Sequence, residues 1–415
     1  MKIGCGYGGG FKNTVKMINK GIVSSWRYSL FVVYISMFVV LLSSCNGLDP
    51  NLSGNYKRVV LVYMAGNTND GIGNDLLINL VDMEKGYLPT TSDKANVLLA
   101  YVHTKGKVPM LIRYSKNREY AVVKDTLFKY EETQSSTDPD VLRKVLEKTK
   151  ADFPADEYGL IMSSHGTGWL PDNYPTRSLG TYSVDPYGHL VRTFGIDLNN
   201  NKGMDIKDLK DAIPYKLSFL MFDCCYMGGI EVAYELREKT DYIIASPTEI
   251  LIKGFPFDKI MRPFFESTPD LGKVCEEYYT FYNSYSYQAA TVVLVKSDKL
   301  KALADVCNTI FENNRAKIRS VDRDAIQKYY RVERAEKYFW DLDHFIETIS
   351  SSSEYASFKA ALAAAIPVKY TTSSFLSLPI NRFCGVSSYI PAENPESIEA
   401  MYKGLDWNID SGMIK

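Results

Sequence analysis

Six short apolar runs, near Arg58–Met64, Asn96–His103, Tyr158–Ser163, Leu217–Asp223, Tyr242–Ala245 and Ala290–Val295, alternate with stretches of helical spacing. That alternation predicts an α/β chain with a doubly wound sheet. Met110–Tyr114 and Tyr120–Phe128 read as an added antiparallel hairpin, and Asp138-Pro139 reads as a helix start, with a cap and a first-turn proline, running to about Lys150. After Lys296 the spacing turns helical, at Lys301–Arg315 and Tyr355–Ala365, with Phe375–Leu378 and Val386–Ile390 as late strands. This part reads as a smaller C-terminal lobe packed on the sheet.

Two of the runs end in reactive side chains. Leu217–Phe222 leads into Asp223-Cys224-Cys225-Tyr226-Met227-Gly228, and Gly229–Leu236 then looks helical. A thiol between a strand end and a helix start sits where peptide N–H groups and the helix dipole favour the thiolate. Cys225 is therefore the candidate nucleophile. Glu157–Ser163 is followed at once by Ser164-His165-Gly166-Thr167-Gly168-Trp169, so His165, one of four histidines, also falls past a strand end. Open α/β sheets place their sites there, and imidazole suits proton transfer near neutral pH. Gly166 could pair its N–H with that of Cys225 as an oxyanion hole. Taken singly, a cysteine at a strand end is more often inert core and a lone histidine more often structural. The joint pattern points to a cysteine hydrolase.

His165–Trp169 and Asp223–Gly228, with weaker echoes at Val62–Ala65, Ala245–Glu249 and Gly385–Pro391, resemble the clostripain family of cysteine peptidases within the caspase-like group. The similarity runs from about Lys57 to about Trp407. It implies a mostly parallel sheet with helices on both faces, and peptide-bond cleavage by a Cys225–His165 dyad. Residues 57–296 would form the core and 297–415 the C-terminal lobe. Cys224, where alanine is more usual, is expected to point into the sheet as a small core residue.

The resemblance further implies cleavage after arginine or lysine, with Asp223 lining the pocket, where a charge-assisted hydrogen bond would select a cation. A second acidic pocket residue is expected just before a glycine after Ala245-Ser246, but this chain has Lys253-Gly254 there, and a lysine would repel a basic substrate unless it turned to solvent. Some family members cut themselves between the histidine and cysteine loops. Here Leu170–Lys216 reads as a long surface loop, with Arg177, Arg192 and Lys202 as candidate cleavage points. Calcium dependence is known in the family, and Asp197–Gly203 is oxygen-rich. The glycine falls one place late for an EF-hand and no glutamate closes the set, so a turn before a helix capped by Asp205 is the plainer reading. No other cofactor is expected.

Location is written in the first fifty residues. Lys12, Lys16, Lys20 and Arg27 precede an apolar stretch from Leu30 to Leu42, then Ser43-Ser44-Cys45. This resembles a bacterial lipoprotein signal over residues 1–44, with Cys45 lipidated and residues 45–56 as a polar tether. The apolar stretch is short for a spanning helix, and an uncleaved anchor is the alternative. Met17 offers a second start. The product is expected to be exported and lipid-anchored, at an outer membrane or cell surface, as a monomer.

Cys275, Cys307 and Cys384 are scattered without metal or disulfide spacing, and Asp341-Leu-Asp343-His344 reads as a surface helix start rather than a metal site. A net charge of −1 with mixed signs leaves no electrostatic footprint for nucleic acid. The partners expected are a peptide or protein substrate and, through the lipid, a membrane. The rival readings are a binding lipoprotein that keeps the fold without turnover, and a cysteine amidase or transferase on the same scaffold.

Overall fold

The computed structural model describes residues 55–172, 194–331 and 338–415. Cys45, Arg177 and Arg192 lie outside them. Residues 55–415 cluster as one compact unit. Its strands are β1 (Tyr56–Gly66), β2 (Asn96–Thr104), β3 (Met110–Lys116), β4 (Val122–Lys129), β5 (Ala155–Ser163), β6 (Phe194–Asp197), β7 (Lys202–Met204), β8 (Phe219–Asp223), β9 (Tyr242–Ala245), β10 (Ala289–Lys296), β11 (Trp340–Asp341), β12 (Val368–Phe375), β13 (Leu378–Pro379) and β14 (Ser387–Ser388).

Ten of these form one sheet, in the order β13-β12-β10-β9-β8-β5-β1-β2-β3-β4. The central five, β9-β8-β5-β1-β2, are parallel, and antiparallel strands extend both edges. The reason is visible in β1, where every residue from Arg58 to Gly66 is buried, as a strand covered on both faces requires. β4 at the edge is the opposite case, with no buried position.

From β1 the chain crosses one way to β2, through the Ile72–Lys85 helix, and later the other way from β5 to β8 and β9. Right-handed crossovers in opposite directions set their helices on opposite faces of the sheet. Accordingly the Ile72–Lys85 helix packs with Phe257–Phe264, while Pro139–Asp152 packs with Ile206–Ala212. The order reverses around β1 and β5, and a crevice opens at the carboxyl ends of such strands.

Several local expectations need correction. The Pro139–Asp152 helix starts as predicted, its Asp138 cap accepting from the Asp140 N–H. Asp205 precedes the Ile206–Ala212 helix but makes no cap bond, because its carboxylate accepts from the Asp172 N–H at 2.7 Å instead. Phe375–Leu378 is not a strand but the reversal between β12 and β13, with Leu376 at φ 52°. β12 itself, eight residues long, pairs with β10, so the C-terminal segment builds part of the main sheet. Asp341 does start the Leu342–Ile349 helix, capping it by accepting from the His344 N–H, yet it is buried rather than at the surface. Its second oxygen accepts from Tyr329 Oη–H and the Cys384 N–H, so the run is a structural knot.

Candidate active site

β5 and β8 are neighbours in parallel register, with Ser163 opposite Asp223. The histidine loop after one strand and the cysteine loop after the other therefore leave the sheet side by side. They touch through backbone: a Cβ on Gly166 would lie 2.5 Å from the Cys225 carbonyl oxygen and 3.0 Å from Cys224 Cβ. Only glycine lets the two loops approach this closely.

Cys224 is buried, its thiol donating to the Met162 carbonyl at 3.2 Å, and burial pushes that thiol well up. This is the inward core role expected for it. Cys225 is half-buried and accepts from the Ile250 N–H at 3.2 Å. It does not sit on a helix N-terminus as the sequence suggested. The Ile230–Glu235 helix begins five residues later, after a turn with Tyr226 at φ 60° that is anchored by Tyr226 N–H to Thr248 O and Gly228 N–H to Ser246 O, each 2.8 Å. The polar partner of the thiol is thus a loop peptide rather than a helix dipole.

His165 is buried, and its Nε2 lies 2.7 Å from Asp70 Oδ2. Asp70 follows β1 and was not singled out in the sequence. Its position past the carboxyl end of a parallel strand next to β5 is the signal that could have found it. Burial raises the Asp70 carboxyl, but hydrogen bonds from His165, Thr68 and the Ile72 N–H, with the imidazole charge, outweigh that and hold it well below the usual carboxylate range.

Asp223 is buried beneath the cysteine loop. Its Oδ1 accepts from the Phe255 N–H at 3.1 Å and its Oδ2 from the Ser163 hydroxyl at 3.0 Å. Burial pushes it up to about 6, against the pull of those two bonds. Gly254, at φ 60°, packs on this carboxylate, where a Cβ would stand 2.7 Å from Oδ1. Lys253 is exposed, with its ammonium 5.7 Å from the centre of the Phe281 ring. The glycine, not the lysine, is what faces Asp223.

Lys202 stands at the start of β7, its carbonyl accepting from the Thr137 hydroxyl at 2.7 Å and its N–H bound to Asn200 Oδ1. A peptide tied into a hairpin in this way is a poor protease substrate, unlike the free loop the sequence implied. Asp197, the first acid of the oxygen-rich run, turns both oxygens onto protein donors, Asn67, Asn199, Ser136 and His103. Among the described residues no group of three or more acids, histidines and cysteines is placed to hold a metal.

The family model described as the clostripain family matches residues 62–408. The chain belongs to the clostripain family. Clostripain of Hathewaya histolytica itself is 27% identical over 241 residues, which are 51% of this chain and 42% of that protein, so the chain spans less than half of that curated relative. An inactive zymogen protease of Parabacteroides distasonis is 30% identical with a TM-score of 0.74, covering 88% of this chain and 99% of that one. A secreted cysteine protease of Bacteroides thetaiotaomicron, solved with an irreversible peptide inhibitor, is 30% identical with a TM-score of 0.72, covering 86% of this chain and 98% of that one. These clostripain-family structures share the mixed sheet described above.

Proposed function

We propose that this protein is an exported, lipid-anchored cysteine endopeptidase in which Cys225 attacks the substrate carbonyl and His165 carries the proton. The carrying observation is the contact of the two loops at the ends of β5 and β8, with the imidazole held from behind by Asp70. His165 takes the thiol proton, becomes imidazolium against the Asp70 carboxylate, and returns the proton to the leaving amine. The N–H groups of Gly166 and Cys225 receive the oxyanion. Asp223 recognises an arginine or lysine side chain on the amino side of the cleaved bond, and an approaching cation would ionise its carboxyl fully. The position of Lys253 over Phe281 supports that reading, because it removes the repulsion the sequence raised.

Export and a lipid on Cys45 rest on the pattern of residues 1–44 and agree with a secreted relative in the family. Self-cleavage after Arg177 or Arg192 would follow from similarity to a relative described as an inactive zymogen. The thiol held by the Ile250 peptide suits a resting precursor of this kind.

The test is turnover and intact mass of the protein from Asn46 onward on a panel of fluorogenic peptides differing in the residue before the cleaved bond, beside Cys225→Ala. Thiol-dependent cleavage after arginine or lysine, lost in the variant, is expected. No cleavage by the intact or processed chain would leave the binding-lipoprotein reading in its place.

A further inference from the structure

Asp197 lies at the end of β6, within the segment that joins the histidine and cysteine loops, and it is fully buried. Its Oδ1 accepts from Asn67 Nδ2–H at 2.7 Å and the Asn199 N–H at 2.9 Å. Its Oδ2 accepts from the Ser136 N–H at 2.7 Å, the Ser136 hydroxyl at 2.6 Å, and His103 Nδ1–H at 3.0 Å. Ser136 is fixed in turn, since its carbonyl accepts from the Tyr63 hydroxyl. A carboxylate this deep is tolerated only when fully bonded, and here the bonds tie together three chain segments distant in sequence.

One of those segments is the β1 loop. Asn67 is held twice, by its side chain to Asp197 and by its carbonyl, which accepts from the Leu198 N–H at 2.9 Å. Three residues on, Asp70 grips the imidazole of His165. β6 also reaches the histidine directly, because the Gly195 N–H donates to the His165 carbonyl at 3.0 Å. Gly195 is at φ 70° and has no room for a side chain, as a Cβ would lie 2.7 Å from Thr137 Cγ2.

We propose that Asp197 is a positioning residue for His165: by anchoring Asn67 to β6 it sets the turn that carries Asp70, while the same strand holds the histidine's main chain. β6 thus holds the histidine's backbone directly and its ring through the anchored turn that carries Asp70. The inference rests on the proposed dyad.

The experiment is a double-mutant cycle on the protein from Asn46 onward, with Asp197→Asn, Asp70→Asn and both. Two readouts are taken: kcat on the best fluorogenic peptide, and the rate at which iodoacetamide alkylates Cys225, which needs no substrate. Asp197→Asn is expected to lower kcat on the order of 10- to 100-fold with little change in KM, as a small displacement of a catalytic group does. In the Asp70→Asn background it should change kcat and alkylation less than about twofold, because both act through one contact. Losses that multiply in the double variant, or an Asp197→Asn enzyme with full kcat, would overturn the proposal. Where Asp197→Asn fails to fold, Asn67→Ala breaks the link to the β1 loop and leaves His103 and Ser136 on Asp197, and the same cycle applies. Non-additive alkylation without any peptide cleavage would keep the positioning role and overturn the peptidase reading instead.

Discussion

Asp70 Oδ2 and His165 Nε2 are 2.7 Å apart although 95 residues separate them in the chain. The carboxylate side chain is 23% exposed and the imidazole 5%, so the pair is shielded on the histidine side and screened little by solvent there. Replacing Asp70 with asparagine keeps the shape and removes the charge. The kcat of Asp70→Asn is expected to fall by about two orders of magnitude, the scale of a misplaced catalytic group. Steady-state kinetics on the best peptide substrate checks this, and an unchanged kcat would show that Asp70 does not act on the imidazole.

Gly166 tests the contact of the two loops. Gly166→Ala puts a methyl 2.5 Å from the Cys225 carbonyl oxygen, a backbone atom that cannot swing aside. The loops must part, so kcat should drop at least about 100-fold while the fold loses roughly 1–3 kcal/mol, the usual scale of overpacking. Urea titration beside peptide turnover separates the two effects.

The five cysteines among the described residues should differ sharply towards alkylating reagents. Cys224, Cys275, Cys307 and Cys384 are buried and their thiols are pushed up by that burial, whereas Cys225 is half-buried. Brief iodoacetamide treatment of the native protein at pH 7.5 should label Cys225 and leave these four, as peptide mass mapping can read. Labelling of Cys224 at a similar rate would show that the turn at Tyr226 is open in solution.

The substrate role proposed for Asp223 carries its own pH dependence. Its carboxyl is pushed up to about 6 by burial, so below that value it would offer a cation no charge. For substrates with lysine or arginine before the cleaved bond, kcat/KM should rise through pH 6, and a neutral residue there should lack that rise. Asp223→Asn should abolish the difference. Equal pH profiles for the two substrate types would place the cation elsewhere.

Glu231 should shape stability rather than activity. It is buried, accepting from the Tyr389 N–H at 2.8 Å and the Tyr402 hydroxyl at 2.9 Å, and burial lifts it from 4.5 to about 7 despite those bonds. The folded state therefore holds this proton more tightly than the unfolded state. Stability from this group is full below pH 4.5 and is lost as pH rises towards 7, by at most roughly 3 kcal/mol. Asp223 acts in the same direction between 3.8 and about 6. Urea midpoints of the wild type should fall over this range more steeply than those of Glu231→Gln, and parallel curves would remove Glu231 from the account.

The elements of the sheet were legible because burial on both faces leaves a local mark: β1, β2 and β5 each carry an apolar stretch at their centre, and Asp138-Pro139 carries its own cap. β12 was missed because its eight residues, Val368–Phe375, include two lysine-or-tyrosine and four serine-or-threonine positions and only one clearly apolar pair of ends, so its pairing with β10 rather than its pattern makes it a strand. The same weak pattern makes the C-terminal stretch resemble a separate lobe, although β12 joins the main sheet.

By itself the sequence determined which side chains stand at strand ends, since apolar runs and glycines set where Cys225, His165, Gly166 and Asp223 fall. Only the tertiary structure decided that Asp70 joins them, that Lys253 leaves Asp223, that the thiol meets a loop peptide rather than a helix, and that Asp197 binds β6 to the β1 loop. Those outcomes depend on strand order and on loop packing between residues far apart in the chain. Periodicity records only whether a residue is buried, and a parallel sheet can set any two such strands side by side.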